Sequence, residues 1–224
     1  MLETIATVLL VINILIILFA ILSEPTNKKG YGAMRPDRPA TLAYDVNDFC
    51  AYYSHLVLRP FEEGGARFIF NCQLDEDSEP IDMIMLAKSG VYVFEHVQAT
   101  GWITGMENNE KWTERIQMGY GRKPQEEKFP NPVRIAEDNV HTVRKFLALD
   151  DVLVRSVIVF PDFCLLNNIK VFNPNTRIVT LNQLLPAMVT LNNKTGINIT
   201  QRDINLIYDR LAEYEVYPDD ETNE

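Results

Sequence analysis

Cysteine, histidine and tryptophan are scarce in this chain, and each scarcity closes off a kind of chemistry. Three cysteines, Cys50, Cys72 and Cys164, lie far apart in apolar surroundings, which gives neither the close pairs of a zinc site nor the even set of a disulfide framework. Free buried thiols in a reducing compartment are the expectation. The three histidines, His55, His96 and His141, fall on separate segments with no ligand spacing. His141 is assigned to a helix surface or to packing, and His96 alternates away from Glu95, so no Ser-His-Asp set is expected. Positive charge is also short: 21 Lys and Arg against 31 Asp and Glu leave a formal net charge of −10. A surface of that sign repels phosphate backbones as a whole. The densest basic group, Arg115, Arg122, Lys123 and Lys128 with Arg134 beyond it, reads as a solvated loop. No internal repeat is present. Gly119-Tyr120-Gly121 reads as a turn and not a nucleotide loop, because no strand-to-helix transition follows it.

The longest apolar run, Ile5 to Leu22, is interrupted only by Thr7 and Asn13. At about 1.5 Å per helical residue it crosses most of a bilayer core of roughly 30 Å. No basic residue precedes it and no small-x-small site stands before Ser23-Glu24-Pro25, so an uncleaved anchor is expected and not a secretory signal. Lys28, Lys29, Arg35 and Arg38 follow the run, and the positive-inside rule then puts the N-terminus outside and the remainder in the cytoplasm. The expected organisation is a transmembrane anchor over residues 1–22, a polar linker over 23–40 rich in Pro and Gly, one domain over 41–216 and an acidic tail over 217–224.

Within that domain, Asp45 to Leu58 has helical spacing with Asp45 as N-cap and a stop before Pro60, and Arg67 to Leu74 alternates as a strand. Ile81 to Leu86 and Gly90 to Val97 are two more strands, joined by a link at Lys88-Ser89-Gly90 short enough for an antiparallel hairpin. Pro132 to Leu149 is an amphipathic helix with Val133, Val140, Val143 and Leu147 inward, and Val154 to Phe160 is a strand buried on both faces. Thr200 to Tyr214 closes the domain as a helix capped by Thr200 with Asp203 three positions on. This order of elements is that of an α/β domain with a central mixed sheet flanked by helices. Trp102, between Gly101 and Ile103, is expected to cover one end of that sheet.

The two hairpin strands carry one carboxylate each, Asp82 and Glu95. Two acids brought together without a basic partner repel one another, and a hard divalent cation between them relieves the repulsion. Asp82 and Glu95 are therefore the candidate metal-ligating and catalytic pair, with Mg²⁺ as the implied cofactor.

The ordered set Ile81-Asp82, Gly90-Val91-Tyr92-Val93-Phe94-Glu95, Gly101-Trp102-Ile103-Thr104-Gly105, Lys111-Trp112, Phe129-Pro130-Asn131-Pro132-Val133, a helix containing His141, and Ser156-Val157-Ile158-Val159-Phe160 resembles the nuclease-related domain family, NERD, a branch of the PD-(D/E)xK nuclease superfamily. The resemblance implies a restriction-endonuclease-like core in which the carboxylates hold the metal and a lysine orients the attacking water. It also marks departures. Family members carry Glu-x-Lys where this chain has Glu95-His96-Val97, a Gly-Glu pair at the first helix where only Asp45 and Asp48 stand, and a Gln at the place of Ile135. Valine supplies neither a donor nor a charge.

Three readings follow. The leading one is a single-pass membrane protein whose cytoplasmic domain has lost nuclease chemistry, holds Mg²⁺ weakly or not at all, and serves in binding or scaffolding. The second is an active nuclease whose lysine has moved to Lys88 or Lys111, with Asp45 or Asp48 as a third acid, which would make nucleic acid a partner. The third is a subunit of a membrane complex in which Asn13 and the bilayer-crossing segment Ile5 to Leu22 meet another membrane protein.

Overall fold

A computed structural model describes residues 49–76, 78–118, 122–149, 153–194 and 196–216 of the chain. The apolar run 5–22 with Asn13, the linker 23–40, Asp45, Asp48, the turn at 119–121 and the tail 217–224 lie outside the described residues. Among the described residues no helix is long and apolar enough to cross a membrane.

The domain is an α/β unit with two mixed sheets flanked by helices, where alternation and run length alone suggested one sheet. The larger sheet is built from β1 (Arg67–Cys72), β2 (Ile81–Ala87), β3 (Gly90–His96), β7 (Val154–Phe160) and β9 (Thr176–Thr180) in the order β1-β2-β3-β7-β9. β1, β2 and β3 pair antiparallel, and β3, β7 and β9 pair parallel. The hairpin at Lys88-Ser89 forms as expected, with Met83 opposite Phe94 and Ala87 opposite Gly90. Gly90 sits at φ +143°, and a Cβ there would fall 2.9 Å from the Leu153 carbonyl, so the close approach of β7 requires glycine at this position.

Period two divides the side chains between the faces. Met83, Met85, Tyr92, Phe94, Val157 and Val159 form one core with α1 (Phe49–Glu63) and α3 (Leu181–Lys194). Ile84, Leu86, Val91, Val93 and Val154 form a second core with α2 (Pro132–Leu147) and α4 (Gln201–Ala212). Helix α2 buries Val133, Val140, Val143 and Leu147, the four residues read as inward. The cap of α4 also stands, with Thr200 Oγ1 accepting from the Asp203 N–H. Helix α1 differs from expectation by running through Pro60 to Glu63. Pro60 removes one backbone donor, and packing of the apolar face outweighs that local cost.

The smaller sheet, in the order β6-β5-β4-β8, contains β4 (Trp102–Met106), β5 (Lys111–Ile116), β6 (Gln125–Pro130) and β8 (Leu165–Lys170). Its inner face meets Val97, Val133, Ala136, Ile158 and Phe160 in a third core. Trp112 is the centre of this core and is fully buried. Its indole N–H donates to the Met106 carbonyl at 3.1 Å, and its ring lies parallel to Phe160 with centroids 6.4 Å apart. Trp102, expected to cover the sheet, is 45% exposed. The reason is parity. Trp102 pairs with Arg115 and Ile103 with Glu114, so Ile103, Trp112 and Glu114 share the inner face and Trp102 the outer.

Gly105 makes room for the indole: a Cβ there would stand 2.3 Å from the Trp112 ring. Gly105→Ala is expected to destabilise the domain by about 1–3 kcal/mol through overpacking. A denaturation midpoint equal to wild type would show that the ring has space to move.

The three cysteines are free and buried, as expected. Burial first, and then Glu215, pushes the Cys72 thiol up to about 12, and burial followed by Glu114 does the same for Cys164. Because the folded state holds these protons more tightly than the unfolded chain, the stability they contribute is complete below about pH 9 and is lost as pH rises toward about 12. A stability–pH profile flat between pH 9 and 11 would contradict that burial.

Candidate functional site

Asp82 opens β2 and Glu95 lies near the end of β3, both half-buried. The register that puts Met83 opposite Phe94, continued by one residue, sets Asp82 opposite Glu95 on the face of Ile84 and Val93. The extended register sets the two carboxylates at one end of the hairpin. Nothing in the described residues completes a metal centre there: no group of three or more His, Cys, Asp or Glu side chains is placed to hold an ion.

The partner of Asp82 is His96, which the sequence reading set aside. Asp82 Oδ2 accepts from the backbone N–H of His96 at 3.0 Å and lies 3.1 Å from its ring Nδ1. On the far side of the ring, Nε2 is 3.1 Å from Ser54 Oγ. Since an ionised carboxylate only accepts, a neutral imidazole in this arrangement carries its proton on Nδ1 and accepts a hydrogen bond from the Ser54 hydroxyl at Nε2. The ring is held further by a parallel contact with Phe94, centroids 6.2 Å apart. His96 does face away from Glu95, as alternation requires, yet the Asp82 side chain at the strand end reaches across to it.

This Ser54, His96 and Asp82 series has the connectivity of a hydrolytic triad but not its access. Ser54 is fully buried on α1 and the His96 side chain is 1% exposed, so the hydroxyl cannot meet a substrate. A nucleophile must be reachable as well as activated. Its physical consequence is to fix Asp82 Oδ2 in place. A sequence signal for Ser54 existed: with Ala51, His55 and Leu58 it occupies the buried i, i+3, i+4, i+7 face of α1.

At the position of the expected lysine, Val97 is buried in the third core, and its N–H donates to the Val159 carbonyl at 3.0 Å. Of the two substitute lysines, Lys88 is distant. Lys88 occupies the opposite end of the hairpin, six residues from Asp82 and thus roughly 20 Å away at the rise of a strand. Lys111 stands at the far end of β5 from Arg115, the residue paired with Trp102. Two members of the basic group are engaged within the domain. Arg115 Nε donates to Glu126 at 3.0 Å, and Arg134 donates to the Asn108 carbonyl.

Mg²⁺ accepts one or two carboxylates with several waters, and Asp82 Oδ1 with Glu95 would hold it in that way, polarising a phosphate oxygen as a Lewis acid. His96 already engages the other oxygen of Asp82. The residues present thus fit a loosely held ion without a water-orienting base.

Two structural residues of the motif set explain themselves. Asn131 accepts the Val133 N–H at its Oδ1 as the N-cap of α2, and its Nδ2 faces the carbonyls of Glu107 and Asn109 at 2.8 and 2.6 Å. Gly101 lets β4 approach β5, since a Cβ there would meet the Arg115 carbonyl at 2.3 Å. Glu114, which the sequence did not single out, is a buried acid whose Oε1 accepts from the backbone and hydroxyl of Thr100. It pins the 97–101 link behind Glu95.

Comparison with known proteins agrees with this architecture. Residues 51–161 match the model of the nuclease-related domain family. An uncharacterized protein of Bacillus anthracis is 26% identical over 132 residues, 59% of this chain and 58% of its own length. The chain thus spans less than two thirds of that relative. No solved structure matches.

Proposed function

Residues 51–161 are a nuclease-related domain, of the PD-(D/E)xK-like nuclease superfamily, and from that premise we propose that this chain has kept the domain as a binding or scaffolding unit after losing its catalysis. The observation that carries the proposal is the pair of changes at the strand end. Val97 fills the lysine position with an apolar side chain packed into the core, and His96 engages the carboxylate of Asp82. Without a donor that orients water and meets charge developing on phosphate, the largest electrostatic contribution to such a reaction is missing. The His96 bonds also supply within the protein part of the compensation that a metal would give Asp82.

The second element of the proposal is attachment to a membrane. Ile5 to Leu22 is the anchor, the N-terminus lies outside, and the domain lies in the cytoplasm. The apolar run and the basic residues that follow it support this reading. A reporter fused after Glu224 is expected to be active only in the cytoplasm, with Met1 to Leu22 retained on the mature chain. Protease cleavage of the domain from outside intact cells, or a mature N-terminus beyond Ser23, would overturn it.

A further inference from the structure

We propose that the outer face of the small sheet is a docking surface for an anionic lipid bilayer. Strand register assembles this face from residues scattered in sequence. One cross-strand row contains Leu165, Trp102, Arg115 and Glu126, and the next contains Thr104, Thr113 and Lys128. At the far end Lys170 stands beside Met106, and Lys111 beside Pro130. Trp102, Leu165 and Met106 are 45%, 58% and 39% exposed, in contrast to the inner-face Ile103 and Trp112, which are fully buried.

Charge identifies the partner. In a chain of net charge −10, this face carries Lys111, Lys128, Lys170 and Arg115 against a single acid, Glu126, which pairs with Arg115. Exposed lysines around a Trp, a Leu and a Met match the layered chemistry of a bilayer surface. The cations meet anionic headgroups at about fivefold in partition each, Trp sits at the headgroup level, and the aliphatic side chains reach the acyl boundary. Single-stranded nucleic acid, the alternative for a basic sheet face, is read by several stacked aromatics. Trp102 is the one aromatic in these rows, and Leu165 and Met106 offer no stacking plane. The proposal rests on the membrane anchor only for bringing lipid within reach.

The test uses the full chain with vesicles of phosphatidylcholine alone or with phosphatidylglycerol added, and reads tryptophan fluorescence. Trp112 is buried, so quenching by aqueous acrylamide or by brominated acyl chains reports Trp102, and Trp102→Phe confirms the assignment. With phosphatidylglycerol, Trp102 is expected to lose acrylamide access and gain bromolipid quenching. Changing Lys111, Lys128 and Lys170 to Gln should return both signals to those in phosphatidylcholine, at about fivefold per lysine. Equal acrylamide access in both lipids overturns the proposal. So does protection of Trp102 by a single-stranded oligonucleotide without any lipid effect, which would assign the face to nucleic acid. Alkaline extraction of the same vesicles separates the two claims: release of the chain sinks the anchor, while bromolipid quenching before extraction still supports the face.

Discussion

Truncating Trp112 to Ala will lower the stability of the domain by about 3–5 kcal/mol, the range for a large aromatic removed from a packed core. Every side of this ring is engaged: Phe160 lies parallel to it, Phe129 meets it edge-on, Gly105 lies beneath it, and the Met106 carbonyl takes its N–H. Trp102→Ala should stay within about 0.5 kcal/mol of wild type, because its side chain stands on the exposed face. Urea denaturation of the two variants compares them directly. Equal losses would mean that the register of β4 against β5 is wrong.

Asn131→Ala is the second large effect, at about 1–3.5 kcal/mol. It removes the N-cap of α2, about 0.5–2 kcal/mol, and the hydrogen bonds to the part-buried carbonyls of Glu107 and Asn109, about 0.5–1.5 kcal/mol. Asn131→Asp separates the two contributions. Aspartate keeps the Oδ1 acceptor for the Val133 N–H but sets an oxygen against the carbonyls of Glu107 and Asn109. Wild-type stability in the Asp variant, with a loss in the Ala variant, would reduce Asn131 to a cap and remove its role in tying the turn to the helix.

Much of the larger sheet was legible because its strands obey simple rules. The short apolar runs of β2 and β3 and the almost continuous apolar run of β7 gave those three strands, and the face-to-core spacing of α2 was correct residue by residue. The second sheet was not legible as a sheet. β8 alternates only in part, because a register shift falls between its pairs with Ile103 and Gly105, and Asn168 there takes φ +52°. A bulge of this kind breaks the period on which a strand reading depends. Pro60 and Pro186 similarly hide the continuity of α1 and α3, since both lie inside helices. Trp112 was read as inward and is, but Trp102 was misplaced. Its position just past a buried strand suggested that it covers the sheet, whereas parity sets it on the outer face and Gly105 clears a place for the Trp112 ring on the next strand.

At the candidate site, the expected hairpin set Asp82 and Glu95 at one sheet edge. It could not give the turn of the Asp82 side chain toward His96, because a residue at a strand end is released from the strict alternation of the interior. Ser54 was missed because its place on the buried face of α1, beside Ala51, His55 and Leu58, signals burial and not the partner that its hydroxyl meets. The family resemblance sets Val97 where a lysine is expected, and its burial adds that the side chain belongs to the core. Val97→Lys would therefore place an ammonium group among Ile158, Phe160 and Val133, with a desolvation cost that opposes any recovered activity.

The central claim is the loss of catalysis, and one measurement bears on it most directly: cleavage of single- and double-stranded DNA and of RNA by the purified wild-type chain with Mg²⁺ or Mn²⁺, beside Asp82→Asn and Glu95→Gln. Wild type and both variants are predicted to be indistinguishable from the background without protein. Metal-dependent cleavage by wild type that disappears in Asp82→Asn and Glu95→Gln would contradict the account and restore this strand end as a working nuclease site.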